Sequence, residues 1–173
     1  MRTFILLTIL AVAVCGASAQ VKSIYTSLSD KVCKKIEFEQ DEGGSYRGRC
    51  PGVGGYKLEL IEGDLRQSII VIDPKKKEHN LKFWEIFGGF SAVGDKAEWR
   101  TKNGKPIAVI IRLNVAANPE DSDKRVSYLL VAKITASETC VTDVIKPSRT
   151  QNAEARKTAD APANAPCYKR PLE

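Results

Sequence analysis

Asn103-Gly104 stands between two runs of β-favouring residues, Glu98-Trp99-Arg100-Thr101 before it and Ile107 to Leu113 after it. Both turn residues accept positive φ, so the pair favours the type I′ turn, whose twist matches that of hairpin strands. A two-residue loop also sets the pairing, with Arg100 opposite Ile107 and Trp99 opposite Ala108. In that register Trp99, Ala108, Ile110 and Arg112 share one face, while Glu98, Arg100, Ile107, Val109 and Ile111 share the other. Neither face is purely polar, so the hairpin is expected to lie centrally in its sheet.

Further strand signals flank it. Tyr56, Leu58 and Leu60 alternate with Lys57 and Glu59, the two-residue period of a half-buried strand, and Gly63-Asp64 marks a turn before the apolar run Ser68 to Ile72. Asp73-Pro74 closes that run, and Lys75 to Asn80 reads as a charged loop. Leu81 to Phe90 holds Phe83, Trp84, Phe87 and Phe90 and suits a helical turn that plugs the core. Asn114 to Arg125 reads as a polar loop, and Val126 to Ile134 and Thr139 to Ile145 as strands.

Helix signals sit near the two ends. Ser27 and Asp30 have capping-box spacing, and Leu28, Val32 and Ile36 follow at helical intervals. Gln40 to Gly55 is polar and glycine-rich and reads as a loop. Ser148 and Gln151 open a second helix, running to about Asp160, whose apolar residues are nearly all alanines. The expected fold class is α+β in a single domain over 20–173: a mostly antiparallel sheet of about six strands, a short N-terminal helix and a C-terminal helix. An extended, proline-containing tail over 161–173 completes it.

Five cysteines are an odd set for a chain stapled by disulfides. The first nineteen residues account for the odd one. Arg2, the apolar run Phe4 to Val14 and the small residues Ala17-Ser18-Ala19 are the parts of a cleavable signal peptide, 1–19. The run is shorter than the about 20 residues a membrane span needs. Lipid attachment at Cys15 is disfavoured by Val14, where a small residue is wanted. Cleavage removes Cys15 and leaves Cys33, Cys50, Cys140 and Cys167, an even set suited to two disulfides in an oxidising compartment. No C-x-x-C pair favours zinc instead. Three pairings are possible, and Cys33–Cys50 with Cys140–Cys167 is favoured because it closes two local loops.

Enzymatic chemistry finds little support. His79 is the one histidine of the chain and lies in a lysine-rich loop, which leaves no scheme built on two histidines and no histidine cluster for a metal. Gly43-Gly44-Ser45-Tyr46-Arg47 misses the nucleophile-elbow pattern at its last position. Gly52-Val53-Gly54-Gly55 precedes a strand rather than opening a helix, so no helix N-terminus waits for a phosphate. The expectation is no metal and no cofactor. A net charge of +6 favours acidic partners, such as anionic lipid headgroups or cell-wall polymers. Nucleic-acid readers concentrate their basic residues more than Lys75-Lys76-Lys77, offset by Glu78, does here.

One constellation stands out. Asp64, Arg66, Glu98, Arg100 and Arg112 are charges in or beside apolar strands, where charge is costly unless paired. They suit a structural ion-pair network, or a recognition patch with arginine forks for carboxylate or phosphate and Trp99 as an apolar platform.

The same residues carry a resemblance. Tyr25-Thr26-Ser27-Leu28, Cys50-Pro51-Gly52 with Gly54-Gly55-Tyr56, Gly63-Asp64-Leu65-Arg66, and Glu98-Trp99-Arg100 with Pro106, Ala108, Ile110 and Arg112 resemble a family of small secreted or periplasmic proteobacterial proteins. The likeness runs through Ala159-Asp160 to Cys167. It implies a bacterial envelope setting, periplasmic or secreted, and no activity or catalytic residue.

The functional expectation is therefore a non-enzymatic exported protein that binds an envelope protein or an anionic cell-wall or lipid component, for example as an inhibitor of a cell-wall hydrolase. A metal-independent hydrolase using Glu62, Asp64 or Glu98 as paired carboxylates is the alternative. A structural envelope protein with no discrete site is the third.

Overall fold

The computed structural model describes residues 20–39, 44–118, 121–161 and 164–169, so the expected signal segment lies outside the described residues. In chain order the elements are β1 Lys22–Ser27, β2 Lys34–Glu39, β3 Ser45–Cys50, β4 Lys57–Gly63, β5 Arg66–Ile72, β6 Glu78–Asn80, α1 Phe83–Ile86, β7 Ser91–Lys102, β8 Lys105–Asn118, β9 Asp121–Ile134, β10 Thr139–Ile145 and α2 Gln151–Ala159. The strands form one 10-stranded mixed sheet in the order β10-β9-β8-β7-β5-β4-β3-β2, with β1 added to β7 and β6 to β5. This corrects the expected α+β class with about six strands. Over the described residues the protein is mostly β, with two short helices.

The ladders are antiparallel except where β5 meets β7 in parallel at Arg66 and Ser91. That joint holds together two halves whose apolar faces share one core. Leu58, Leu60, Ile69 and Val71 of β4 and β5 lie in the same buried cluster as Trp99, Val109, Ile111, Leu113 and Leu130 of β7, β8 and β9. Phe83, Ile86 and Phe87 plug it, as the aromatic cluster predicts, while Trp84 stays 38% exposed.

The expected N-terminal helix is absent. Ser27 ends β1, its Oγ accepts from the Ser29 amide rather than from residue 30, and after a turn the chain enters β2. The helical spacing of Leu28, Val32 and Ile36 misleads because only Leu28 is buried; Val32 is 53% and Ile36 43% exposed. What holds the segment is pairing: Lys22 to Ser27 lie against Thr101 to Lys96 of β7, and β2 lies against β3. The expected loop from Gln40 to Gly55 likewise contains β3, whose end is bonded to the β1–β2 turn by the Cys33–Cys50 disulfide. Asn114 to Arg125 is strand rather than loop over its described length, since β8 runs to Asn118 and β9 pairs back along it.

The Asn103-Gly104 turn forms as expected, with φ of 52 and 74°. Its register differs. Thr101 pairs with Pro106, and a bulge then sets Arg100 opposite Ala108 and Trp99 opposite Val109. Ile107 is the extra residue. This one-residue offset flips β8 relative to the expected pairing, because side chains alternate with a period of two. Trp99 therefore shares its face with the buried Val109, Ile111 and Leu113, while Glu98 and Arg100 share theirs with Ala108, Ile110 and Arg112.

α2 covers that second face. Its Ala155 and Ala159 pack with Ala108, Ile110, Leu129, Val131 and Ile145 in a smaller buried cluster. Alanines let the helix approach closely but bury little area, so polar bonds must help to hold it. The expected capping box does not form: Ser148 Oγ accepts from the Thr150 amide, and Gln151 Nε2 instead donates to the carbonyls of Ser127 and Ile145. Beyond α2, the Cys140–Cys167 disulfide straps the tail to β10, where the Tyr168 amide also donates to the Val141 carbonyl.

Candidate functional site

The charged strand residues fall into three places. Glu98 and Arg100 lie under α2, with side chains 11% and 9% exposed. Arg100 clasps Asp160 through two parallel bonds, Nε to Oδ1 at 2.7 Å and Nη2 to Oδ2 at 2.6 Å. Glu98 accepts from Arg156 Nε at 2.6 Å and from Ser23 Oγ at 2.5 Å, and Arg100 Nη1 donates to that same Ser23. Tyr25 Oη accepts from Arg156 Nη2 at 2.9 Å, closing the network over β1. Arg112 sits on the same face toward the start of α2 and donates to Ser127 Oγ at 2.8 Å.

Trp99 is on the opposite face, fully buried, with Nε1 donating to Thr26 Oγ1 at 2.9 Å and its ring 6.2 Å from that of Tyr56. Asp64 and Arg66 are bonded to each other at the β4–β5 turn, whose Asp64 and Leu65 both have positive φ. There Arg66, Glu62, Ile61 and Trp84 line a cavity of about 430 Å³. The structure thus joins Glu98 with Arg100, sets Arg112 farther along their face and separates Trp99 and the Asp64–Arg66 pair from them.

The chemistry of the network is that of a clamp. Burial pushes the Glu98 carboxyl up, but bonds from Arg156 and Ser23 outweigh it and hold it below the usual carboxylate range. A general acid working near neutral pH needs the opposite shift. Arg100 is held above its ordinary value chiefly by its bonds to Asp160. Glu62, the other carboxylate considered for paired-acid chemistry, accepts from Gln67 Nε2 at 2.5 Å.

A second buried acid escaped the sequence reading. Glu59 is fully buried on the outward side of β4, and Arg47 and Arg49 of β3 both donate to it, Arg47 Nε at 2.5 Å and Arg49 Nε at 2.8 Å. The available signal was the two-residue spacing of Arg47 and Arg49, which a glycine-rich loop assignment concealed. A grouping of metal-type ligands, Glu138 with Cys140 and Cys167, has both sulfurs engaged in the disulfide.

A cluster of lysines lies at one end of the sheet, where three connections meet. The β3–β4 connection turns through Gly54 and Gly55, with φ of 61 and 85°. A Cβ at Gly54 would lie 2.8 Å from Pro106 Cδ, and one at Gly55 would lie 3.4 Å from Pro74 Cγ. Those approaches bring the β7–β8 turn and the β5–β6 turn alongside. The turns carry Lys102 and Lys105, Lys75, Lys76 and Lys77, and Lys57 opens β4 opposite Ile72. Lys22, opposite Thr101, adds another from β1. All of these lysines are exposed, and none has an acidic partner among the described residues.

The neighbouring acids are already occupied. Asp73 accepts from the amides of Lys75 and Lys77, and these bonds hold its carboxyl below the ordinary value. Glu78 is paired with Arg47, Asp160 with Arg100, and Glu138 with Lys133. No helix of the described residues is long and apolar enough to cross a membrane. No family model, no curated protein and no solved structure matches the chain.

Proposed function

We propose that the protein is a non-enzymatic, exported domain that docks on a phosphate-bearing lipid surface of the envelope through the lysine end of its sheet. The observation that carries this reading is the convergence of Lys22, Lys57, Lys75, Lys76, Lys77, Lys102 and Lys105 at one end, none with an acidic partner among the described residues. Export rests on the signal-peptide pattern of residues 1–19, and the two disulfides are compatible with an oxidising compartment. Each lysine near an anionic membrane surface contributes about 1 kcal/mol, so several acting together suffice for reversible attachment without an inserted helix. Ammonium groups on short turns suit a crowd of headgroup phosphates, whereas planar recognition of a single carboxylate calls for arginine forks. The arginines under α2 are engaged within the protein.

Vesicle flotation tests this. The protein without residues 1–19 is expected to float with vesicles rich in phosphatidylglycerol, to stay behind with phosphatidylcholine alone, and to be released by salt. The variant Lys75→Glu/Lys76→Glu/Lys77→Glu should lose binding, whereas Lys146→Glu/Arg149→Glu, ahead of α2, should retain it. Equal binding to both vesicle types, or equal loss in both variants, refutes docking through this end.

A further inference from the structure

β2 ends the sheet path, and its outer edge has no strand beside it among the described residues. All six of its residues are exposed, including Ile36 at 43% and Phe38 at 50%. We propose that this edge is where two copies of the chain pair, β2 against β2 and antiparallel across a two-fold axis. The proposal is independent of lipid binding.

Charge order and face together favour this pairing. β2 reads Lys34-Lys35-Ile36-Glu37-Phe38-Glu39, with its cations in the first half and its anions in the second. The register against β3 puts Lys34, Glu37 and Glu39 on one face, opposite Arg49, Arg47 and Ser45, and puts Lys35 and Phe38 on the other, opposite Gly48 and Tyr46. Residues directly opposite one another in adjacent strands must share a face.

One antiparallel register pairs the whole strand under that condition. Lys34 meets Glu39 of the partner subunit, Lys35 meets Phe38 of the partner subunit, and the bulge residue Ile36 meets Glu37 of the partner subunit. The two-fold repeats each contact, giving two cross-strand ion pairs and two ammonium–ring contacts of the kind Lys35 already makes with its own Phe38 at 4.3 Å. A carboxylate from the partner subunit would also give Lys34 the acidic partner that Arg49, opposite it on β3, already has in Glu59. Parallel pairing sets lysine against lysine and glutamate against glutamate. Edge lysines and a bulge ordinarily guard a strand from foreign chains. Here their order rejects other partners and admits this strand's own antiparallel copy.

Sedimentation velocity and native mass spectrometry across a concentration series test the pairing. Wild type should form a concentration-dependent dimer. Lys34→Glu and Glu39→Lys, each at an exposed position, should each fold and remain monomeric, because each faces like charge across the axis. Mixed in equal amounts they should regain the dimer as a heterodimer, because the two variants present opposite charges to each other at both of these positions. A wild type that stays monomeric throughout, single variants that dimerise as wild type does, or a mixture that yields no heterodimer would each overturn the proposal.

Discussion

Arg100 and Asp160 lie 60 residues apart in the chain and are joined by two parallel bonds of 2.7 and 2.6 Å, fastening the end of α2 to the third residue pair from the turn of the β7–β8 hairpin, Arg100 opposite Ala108. α2 buries chiefly alanine side chains, so this fork and the Arg156–Glu98 pair hold a helix that apolar packing alone holds weakly. Removing one member of such a pair strands the other where water reaches it poorly.

Arg100→Ala is therefore expected to destabilise the fold by about 2–3 kcal/mol, somewhat less than the loss of a fully buried pair, since Asp160 is 31% exposed. Asp160→Asn should cost less, because the amide retains one acceptor. Urea denaturation of the two single variants and the double variant would show strong coupling between the positions. Additive effects would mean that the fork contributes little.

Glu98 gives the network a pH dependence. Its carboxyl is held below the ordinary value of 4.5, so the native state binds fewer protons there than the unfolded chain does. The stabilisation is fully present above the unfolded pKa and is lost as pH falls through the folded one. Wild type should lose stability on acidification below about pH 4.5, and Glu98→Gln, less stable at neutral pH, should show a shallower decline over that range. Chemical denaturation at a series of acidic pH values measures both slopes. Parallel slopes would show that Glu98 is not a contributor.

Much of this fold was legible where a physical signal is local. Asn103-Gly104 marked its hairpin, Thr139 to Ile145 its strand, and the cysteine spacing its two bridges. β2 was not legible, because a strand with every residue exposed has no burial pattern to betray it. The outer parts of β8 and β9 have a loop-like polar sequence for a similar reason. They run past the apolar core and are strands through mutual pairing. The charged residues were found by their cost in apolar strands, but their grouping was not, since the bulge at Ile107 decides which face each occupies. The lysine end was visible only as the run Lys75-Lys76-Lys77. Its other members arrive from distant turns that close approaches at Gly54 and Gly55 bring together.

The two disulfides close segments of 17 and 27 residues. Chain-entropy reasoning assigns them about 3 and about 3.5 kcal/mol. Their structural consequences should differ. Cys33→Ala/Cys50→Ala loosens the β1–β2 turn from β3, and with it the free edge. Cys140→Ala/Cys167→Ala releases the tail, including Ala165, whose carbonyl accepts from Lys133 Nζ at 2.7 Å. Limited proteolysis should therefore cut the second variant first near residues 164–169 while its sheet stays intact. Early cleavage inside the sheet instead would show that this bridge holds more than the tail.

The bulge makes a sharper test of the register. Ile107 has no partner on β7, and the β8–β9 ladder begins one residue later with Ala108 opposite Lys133. Deleting Ile107 removes only the extra residue, leaving Arg100 with Ala108, Trp99 with Val109 and every contact beyond them in place. The deletion should fold, with stability within about 2 kcal/mol of wild type, the cost arising from lost twist and the partial burial of one side chain. Deleting Ile110 should not fold, because every later residue of β8 would exchange core for surface against both neighbouring strands. Tryptophan fluorescence and amide exchange compare the two, since Trp99 is fully buried in the native state. If deleting Ile107 exposes Trp99, then pairing runs through that residue, and the assignment of Arg112 to the face of Glu98 and Arg100 fails with it.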